Sequence, residues 1–353
     1  MKGKISRRDF IGNVSAIGAA AAISPNLAMG KSRAGKVIKP PRLNKGDTIG
    51  LIAPASGVRE QRTIREAKET WESLGFKVKT GRHIAGRYGY LAGKDNERVE
   101  DLHDMFADNE VKALVALRGG YGTIRILDMI DYDLIRKNPK IILGYSDITS
   151  LHIAIHQMAG LVTFHGPVAI SSFTEYTQEY LFKALSAAQP AGLIAHPEPD
   201  NALHPTAHFA TIHGGSCKGQ LTGGNLSLIV ASIGTPYEID TKGKILFIEE
   251  VGEEPYAIDR MLTQLSQAGK LDQAAGIVLD RCSRCGVSDT KPAFQESLGV
   301  EEVFVDRLSH LNIPVVLGFS IGHVANKPTL PLGVRATLNA DARSLTIDES
   351  AVV

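Results

Sequence analysis

The chain has 353 residues, 43% hydrophobic and 22% charged, with 35 Gly, 16 Pro, one Trp and three Cys; this is ordinary globular usage and excludes collagen-like, disordered and disulfide-scaffold architectures. At about 100–200 residues per domain the length corresponds to roughly two domains, enough to bury a core and leave a cleft between them. A net charge of +1 leaves no electrostatic footprint for nucleic acid.

Residues 1–30 set Lys2, Lys4, Arg7 and Arg8 against Asp9 alone, and a weakly apolar Ala/Gly/Ile stretch follows to Ile23. Basic, apolar and small residues in that order make a secretory leader. Ser6-Arg7-Arg8-Asp9-Phe10-Ile11 resembles the twin-arginine signal, and Ala28-Met29-Gly30 a small-x-small cleavage site. The plainer alternative is an uncleaved amphipathic start with a chance arginine pair. The leader carries four of the 39 basic residues and one of the 38 acidic ones, so the mature chain turns slightly acidic. The expected location is periplasmic, with the cytoplasm as the alternative. Beyond the leader the longest apolar candidate, His152 to Ile170, is broken by His156, Gln157 and His165. It falls short of the roughly 20 apolar residues of a membrane span, so no integral membrane segment is expected in the mature protein.

From Asp47 the pattern alternates strand and helix. Thr48 to Ala53 reads as a buried strand and Glu60 to Leu74 as a helix closed by Gly75. A second helix begins at Asp95, with Val99, Leu102, Met105 and Phe106 at helical spacing. Ala113 to Leu117 is an apolar strand ending in Arg118-Gly119-Gly120-Tyr121-Gly122. This turn fails as a dinucleotide cradle because Arg125 stands where the third glycine belongs. Its adjacent glycines still permit close backbone approach, so Gly120 or Gly119 is a candidate oxyanion donor, against the alternative of a tight turn without function. Lys140 to Leu143 is the next strand, ending in Gly144-Tyr145-Ser146-Asp147 before a helix that closes near Gly160. Short apolar strands between amphipathic helices indicate an α/β domain with a flavodoxin-like or Rossmann-like parallel sheet, whose ligands sit at the carboxyl ends of the strands. Ser146 stands at such an end as a candidate nucleophile, with the Asp147 N–H placed to stabilise an oxyanion. The Gly-x-Ser-x-Gly elbow of the alpha/beta hydrolases lacks its second glycine here, and on this turn alone a helix cap by Ser146 or Asp147 is the simpler reading.

Residues 189–209 carry four prolines and lose all periodicity, which reads as a linker between an N-terminal domain over 47–188 and a smaller mixed α/β domain over 210–350. In the second domain Leu221 to Asn225 precedes a helix, Lys244 to Ile248 is a strand running into Glu249, a helix spans Ala257 to Ala268, and Gly276 to Leu279 is another strand. Glu249 and Glu250 lie on opposite strand faces, so at most one can serve a given site. Cys282-Ser283-Arg284-Cys285 has no second pair to complete a zinc site; incidental or structural cysteines come first and a local disulfide second. Val315 to Leu317 leads through Gly318 and Gly322 to His323, the most suggestive of eleven histidines. Leu330 to Leu338, with Ser344 to Ile347, reads as antiparallel strand.

The segments LRGGYGTIRIL, ILGYSDITSLH, TFHGP, LTGGNLSLIVASIGTP, ILFIEEVGEEPYAIDRMLTQL and LGFSIGH…TLPLGVRATL occur in the order found in the serine LD-carboxypeptidases, also called murein tetrapeptide carboxypeptidases (peptidase family S66). From about Asp47 to Ile347 the sequence strongly resembles that family. The resemblance implies a two-domain serine hydrolase with Ser146 as nucleophile, His323 as base, Glu249 as its acid partner, and the N–H groups of Gly120 and Asp147 as the oxyanion hole, without metal or cofactor. The implied partner is a peptidoglycan stem tetrapeptide, from which terminal D-alanine is removed; the assembly is left open, a homodimer included. Two rivals predict different things. A branch of the same family that cuts acyl-nucleotides calls for an aromatic side chain to stack on a base, and Trp71 reads as core. An exported solute-binding protein needs no convergence of Ser146, Glu249 and His323.

Overall fold

The computed structural model describes residues 36–198, 209–290 and 292–353. The leader assigned to residues 1–30 lies outside the described residues, as does most of the second half of the 189–209 segment. The described residues form one compact unit.

The chain opens with β1 (Thr48–Ile52), α1 (Gln61–Ser73), β2 (Lys77–Thr80), α2 (Asp95–Ala107), β3 (Val111–Ala116), α3 (Tyr132–Lys137), β4 (Ile141–Gly144), α4 (Thr149–Ala159), β5 (Thr163–His165) and α5 (Glu175–Leu185). Gly75 at φ +98° and Gly160 at φ +75° end α1 and α4 in the left-handed conformation that glycine adopts without a Cβ penalty. Strands β1 to β5 pair in parallel, and the sheet order is β12-β5-β4-β3-β1-β2, with β12 (Leu330–Leu332) added antiparallel on β5. Their near-continuous apolar runs are buried on both faces, as a helix-covered parallel sheet requires.

The second sheet holds β6 (Gly192–Leu193), β7 (Ala210–His213), β8 (Ser216–Asn225), β9 (Ile245–Glu249), β10 (Gly276–Asp280), β11 (Val315–Phe319), β13 (Arg335–Asn339) and β14 (Ser344–Ile347), with α6 (Leu226–Ala231), α7 (Pro255–Gln267) and α8 (Val300–Leu308) between strands. Its order is β6-β14-β13-β8-β9-β10-β11-β7; β8 to β11 run parallel and the outer strands antiparallel. The sequence pattern anticipates one strand over Leu330 to Leu338, but the structure splits it. Gly333, at φ +92°, turns the chain out of β12 in the first sheet and into β13 in the second, and a Cβ there would lie 2.2 Å from His156 Cε1. Helix α4, buried along most of its length, packs against β8 and α6, and Thr149 Oγ1 accepts the Asn225 N–H at 3.0 Å. The two sheets therefore meet across α4, directly behind the turn that carries Ser146.

Candidate active site

Ser146 follows β4 at φ +65°, a left-handed conformation that costs a residue with a Cβ roughly 1–2 kcal/mol. Strain of this kind persists where the surroundings dictate it. Neither the short helical turn at Ser146 nor α4 behind it has a side-chain cap, so capping is not what this serine does. Gly119 lies against it: a Cβ at position 119 would stand 2.9 Å from Ser146 Cβ, closer than real side chains come. The missing second glycine of the hydrolase elbow is Ile148, whose Cγ1 a Cβ on Gly144 would meet at 2.9 Å.

His323 reaches this turn from the other sheet. Its Nε2 accepts from Ser146 Oγ at 3.1 Å, while Nδ1 faces Glu249 Oε2 at 2.7 Å. A carboxylate can only accept, so it sets the tautomer with the proton on Nδ1 and the lone pair on Nε2. Glu249 ends β9 and is fully buried. Glu250, on the opposite face, accepts from Asn225 Nδ2, Ser227 N and Ser227 Oγ and serves the start of α6. Strand alternation therefore divides the pair as the sequence requires, and the structure brings Ser146, His323 and Glu249 into one hydrogen-bonded chain.

The candidate oxyanion donors lie in the turns that follow β3 and β4. Gly120, at φ +118°, packs so closely on Ser56 that a Cβ would lie 2.5 Å from Ser56 Oγ. Asp147 turns its side chain away, Oδ2 accepting from Thr123 N at 2.9 Å and its carbonyl from Thr123 Oγ1 at 2.5 Å; burial raises its carboxyl above the usual aspartate range. Among the described residues, the N–H groups of Gly120 and Asp147 donate to no main-chain acceptor in a turn or loop.

Four supporting residues, Asp280, His165, Lys327 and Thr177, escaped the sequence reading. Asp280 ends β10, fully buried, and accepts from Ile321 N at 3.0 Å, Gly322 N at 3.2 Å and Cys282 N at 3.1 Å. It thereby holds the loop that delivers His323. Burial first, and the Glu249 charge second, push it up to about 7. Gly322 is squeezed between the two acids: a Cβ would lie 2.6 Å from Glu249 Oε2 and 2.8 Å from Asp280 Oδ2. His165, at the end of β5, donates from Nε2 to Ile321 O at 2.8 Å; burial lowers it to about 3, so it is a neutral strut. Lys327, 3% exposed, sets Nζ 4.8 Å from the centre of the Tyr145 ring, and burial lowers it to about 8 against the opposing pull of Glu249 and Asp280. Thr177 on α5 ties this segment down, donating to Ala325 O at 3.1 Å and accepting from Lys327 N at 3.2 Å.

Two cavities open near the serine. One, of about 520 Å³, is lined by Arg281, Cys282, Ser283, Arg284, His323 and Asn326; the other, of about 610 Å³, is lined by Ser56, Arg59, Arg87, Tyr90 and Arg118. Cys282 and Cys285 are free thiols, and Cys282 lies in the wall of the first. Among the described residues, no cluster of three metal-ligating side chains occurs and no helix is long and apolar enough to cross a membrane.

Comparison with known proteins places this geometry. The LD-carboxypeptidase N-terminal domain matches residues 49–166 and the LD-carboxypeptidase C-terminal domain residues 218–338. The probable murein peptide carboxypeptidase of Bacillus subtilis (strain 168) is 44% identical over 319 residues, covering 88% of this chain and 94% of its own. Among solved structures, the microcin C7 self-immunity protein MccF in its wild-type apo state superposes with a TM-score of 0.80 at 26% identity, covering 90% of this chain and 100% of its own. Muramoyltetrapeptide carboxypeptidase from Oxalobacter formigenes gives 0.73 at 30% identity, covering 86% and 99%. With both halves of the family matched in order around one serine, histidine and glutamate, the chain belongs to the LD-carboxypeptidase family, peptidase family S66.

Proposed function

We propose that the protein is a serine L,D-carboxypeptidase that releases the terminal D-alanine of peptidoglycan stem tetrapeptides. The observation that carries this reading is the unbroken chain from Ser146 Oγ through His323 to buried Glu249, at a turn held in left-handed backbone. The carboxypeptidase names of the relatives support the substrate class. His323 takes the Ser146 proton, and Oγ attacks the carbonyl of the third stem residue. The oxyanion forms against the N–H groups of Gly120 and Asp147. His323, now imidazolium and held by Glu249, gives its proton to the D-alanine nitrogen as the C–N bond breaks. Water then attacks the acyl-enzyme by the same route in reverse and frees the tripeptide. The test is D-alanine release from a defined tetrapeptide by wild type and Ser146→Ala. Losing a nucleophile of this kind costs on the order of a million-fold, and near-normal release by the variant would remove the assignment.

A second reading within the family is hydrolysis of an acyl-nucleotide. Trp71 is fully buried, edge-on to Phe173 at 5.5 Å, and is not available to stack on a base. The exposed Tyr90 and Tyr121 rings, 5.6 Å apart beside the cavity of Arg59, Arg87 and Arg118, are the feature that favours it. Turnover of an aminoacyl sulfamoyl adenylate set against the tetrapeptide separates the two. The leader over residues 1–30 supports action on wall material outside the cytoplasm; fractionation that finds only uncleaved protein in the cytosol would overturn that placement.

A further inference from the structure

We propose that the cavity beside His323, walled by Arg281 and Arg284, receives the carboxylate of the leaving amino acid and so makes the enzyme an exopeptidase. The inference rests on the carboxypeptidase reading and adds which end of the substrate lies on which side of Ser146.

Protonation of the leaving nitrogen fixes its place. A general acid must stand about 3 Å from the atom it protonates, so the leaving nitrogen sits beside His323 Nε2. In an α-amino acid the carboxyl carbon is two bonds further on, about 2.5 Å from that nitrogen with N–Cα and Cα–C bonds of ordinary length. Its oxygens therefore fall within about 7 Å of Nε2. Of the two cavities near the serine, only the one of about 520 Å³ includes His323 in its wall.

That wall is cationic and unsatisfied. Neither Arg281 nor Arg284 is ion-paired among the described residues. Arg281 donates from Nη2 to Ser320 Oγ, a neutral partner that leaves the guanidinium charge uncompensated. Arg284 stands exposed at the rim at φ +56°. The nearby acids are engaged: Asp280 accepts main-chain N–H groups, and Glu249 faces His323. A guanidinium presents a fork that matches a carboxylate in two parallel hydrogen bonds. A free α-carboxylate is the ligand this chemistry selects, and a chain continuing past the cleaved bond would lack it.

The experiment compares one tetrapeptide ending in a free carboxylate with the same peptide ending in a carboxamide, for wild type, Arg281→Gln, Arg284→Gln, Arg284→Lys and Arg118→Gln. Wild type should favour the acid. Loss of a charged hydrogen bond is worth roughly 10- to 100-fold, so the two glutamine variants should lose that much in kcat/KM on the acid, mainly through KM, and much less on the amide. Their preference then collapses toward one, Arg284→Lys restores part of it, and Arg118→Gln, in the other cavity, keeps it. Equal losses on both substrates, an intact preference in Arg281→Gln and Arg284→Gln, or its disappearance in Arg118→Gln would overturn the inference while leaving the carboxypeptidase reading in place. No release of D-alanine by wild type would remove that reading and the inference together.

Discussion

Replacing Glu249 with glutamine alters the electrostatics of the site with almost no change of shape. The carboxylate is fully buried at the end of β9 and its Oε2 lies 2.7 Å from His323 Nδ1. When His323 takes the Ser146 proton, an imidazolium forms with its charge centre about 4 Å from that of the carboxylate. At an effective dielectric of about 20 the attraction is about 4 kcal/mol. Glutamine keeps an acceptor oxygen for the Nδ1 proton but not the charge, so that stabilisation is lost in the transition state and not in the resting enzyme. At 1.36 kcal/mol per decade of rate, kcat should fall about a thousand-fold. The fold should not suffer, because a neutral amide is easier to bury than a carboxylate whose Oε1 has no hydrogen-bond partner. The assay is D-alanine release under saturating tetrapeptide, with a thermal melt as control. A folded Glu249→Gln variant within about 10-fold of wild-type kcat would refute the electrostatic role of Glu249, since an effect that small is below one charge-assisted hydrogen bond.

Three further outcomes follow from the same geometry. Ser146 occupies left-handed backbone, so Ser146→Gly should be about 1 kcal/mol more stable than Ser146→Ala, both without activity; equal denaturation midpoints would show that the turn is unstrained. Asp280 holds its proton up to about 7 in the fold, against about 3.8 for an ordinary aspartate, so between those pH values the folded state binds more protons than the unfolded one and stability declines as pH rises. Between pH 5 and pH 8 that decline is about 2–3 kcal/mol. Urea denaturation should show it in wild type and not in Asp280→Asn, and parallel profiles would refute it. Thr177→Val removes both hydrogen bonds to the Ala325–Lys327 segment at a cost of about 1–3 kcal/mol; turnover should fall by more than folding accounts for, as read by kcat on protein shown to be folded.

What was legible in the sequence is what a single strand and its turn decide. Apolar runs ending in Gly-rich turns marked β3 and β4, and the rule that ligands gather at carboxyl ends of strands singled out Ser146 and the Gly119–Gly120 turn. Alternation along β9 separated Glu249 from Glu250. The same rule reaches Asp280, the last residue of the buried run Gly276–Asp280, because a carboxylate closing an apolar strand is as informative there as at Glu249. Lys327 had no such signal: a lysine between Asn326 and Pro328 looks solvated until the chain is folded over Tyr145.

The hidden residues share a cause, which is the passage of the chain between sheets. After β11 the backbone leaves the second sheet, hands its Ile321 carbonyl to His165 of the first, ties down on Thr177 of α5, and pairs β12 with β5 before Gly333 returns it to β13. His323 lies on this crossing segment, so its reach to Ser146 depends on contacts from both sheets. Periodicity reports which face of an element is buried, but not which distant element it is buried against. For that reason Ser146, Glu249 and His323 stood out as candidates at their own turns and took their roles from the family resemblance, while His165 and Thr177, which hold the His323 segment in place, are identified only by the packing of one sheet against the other.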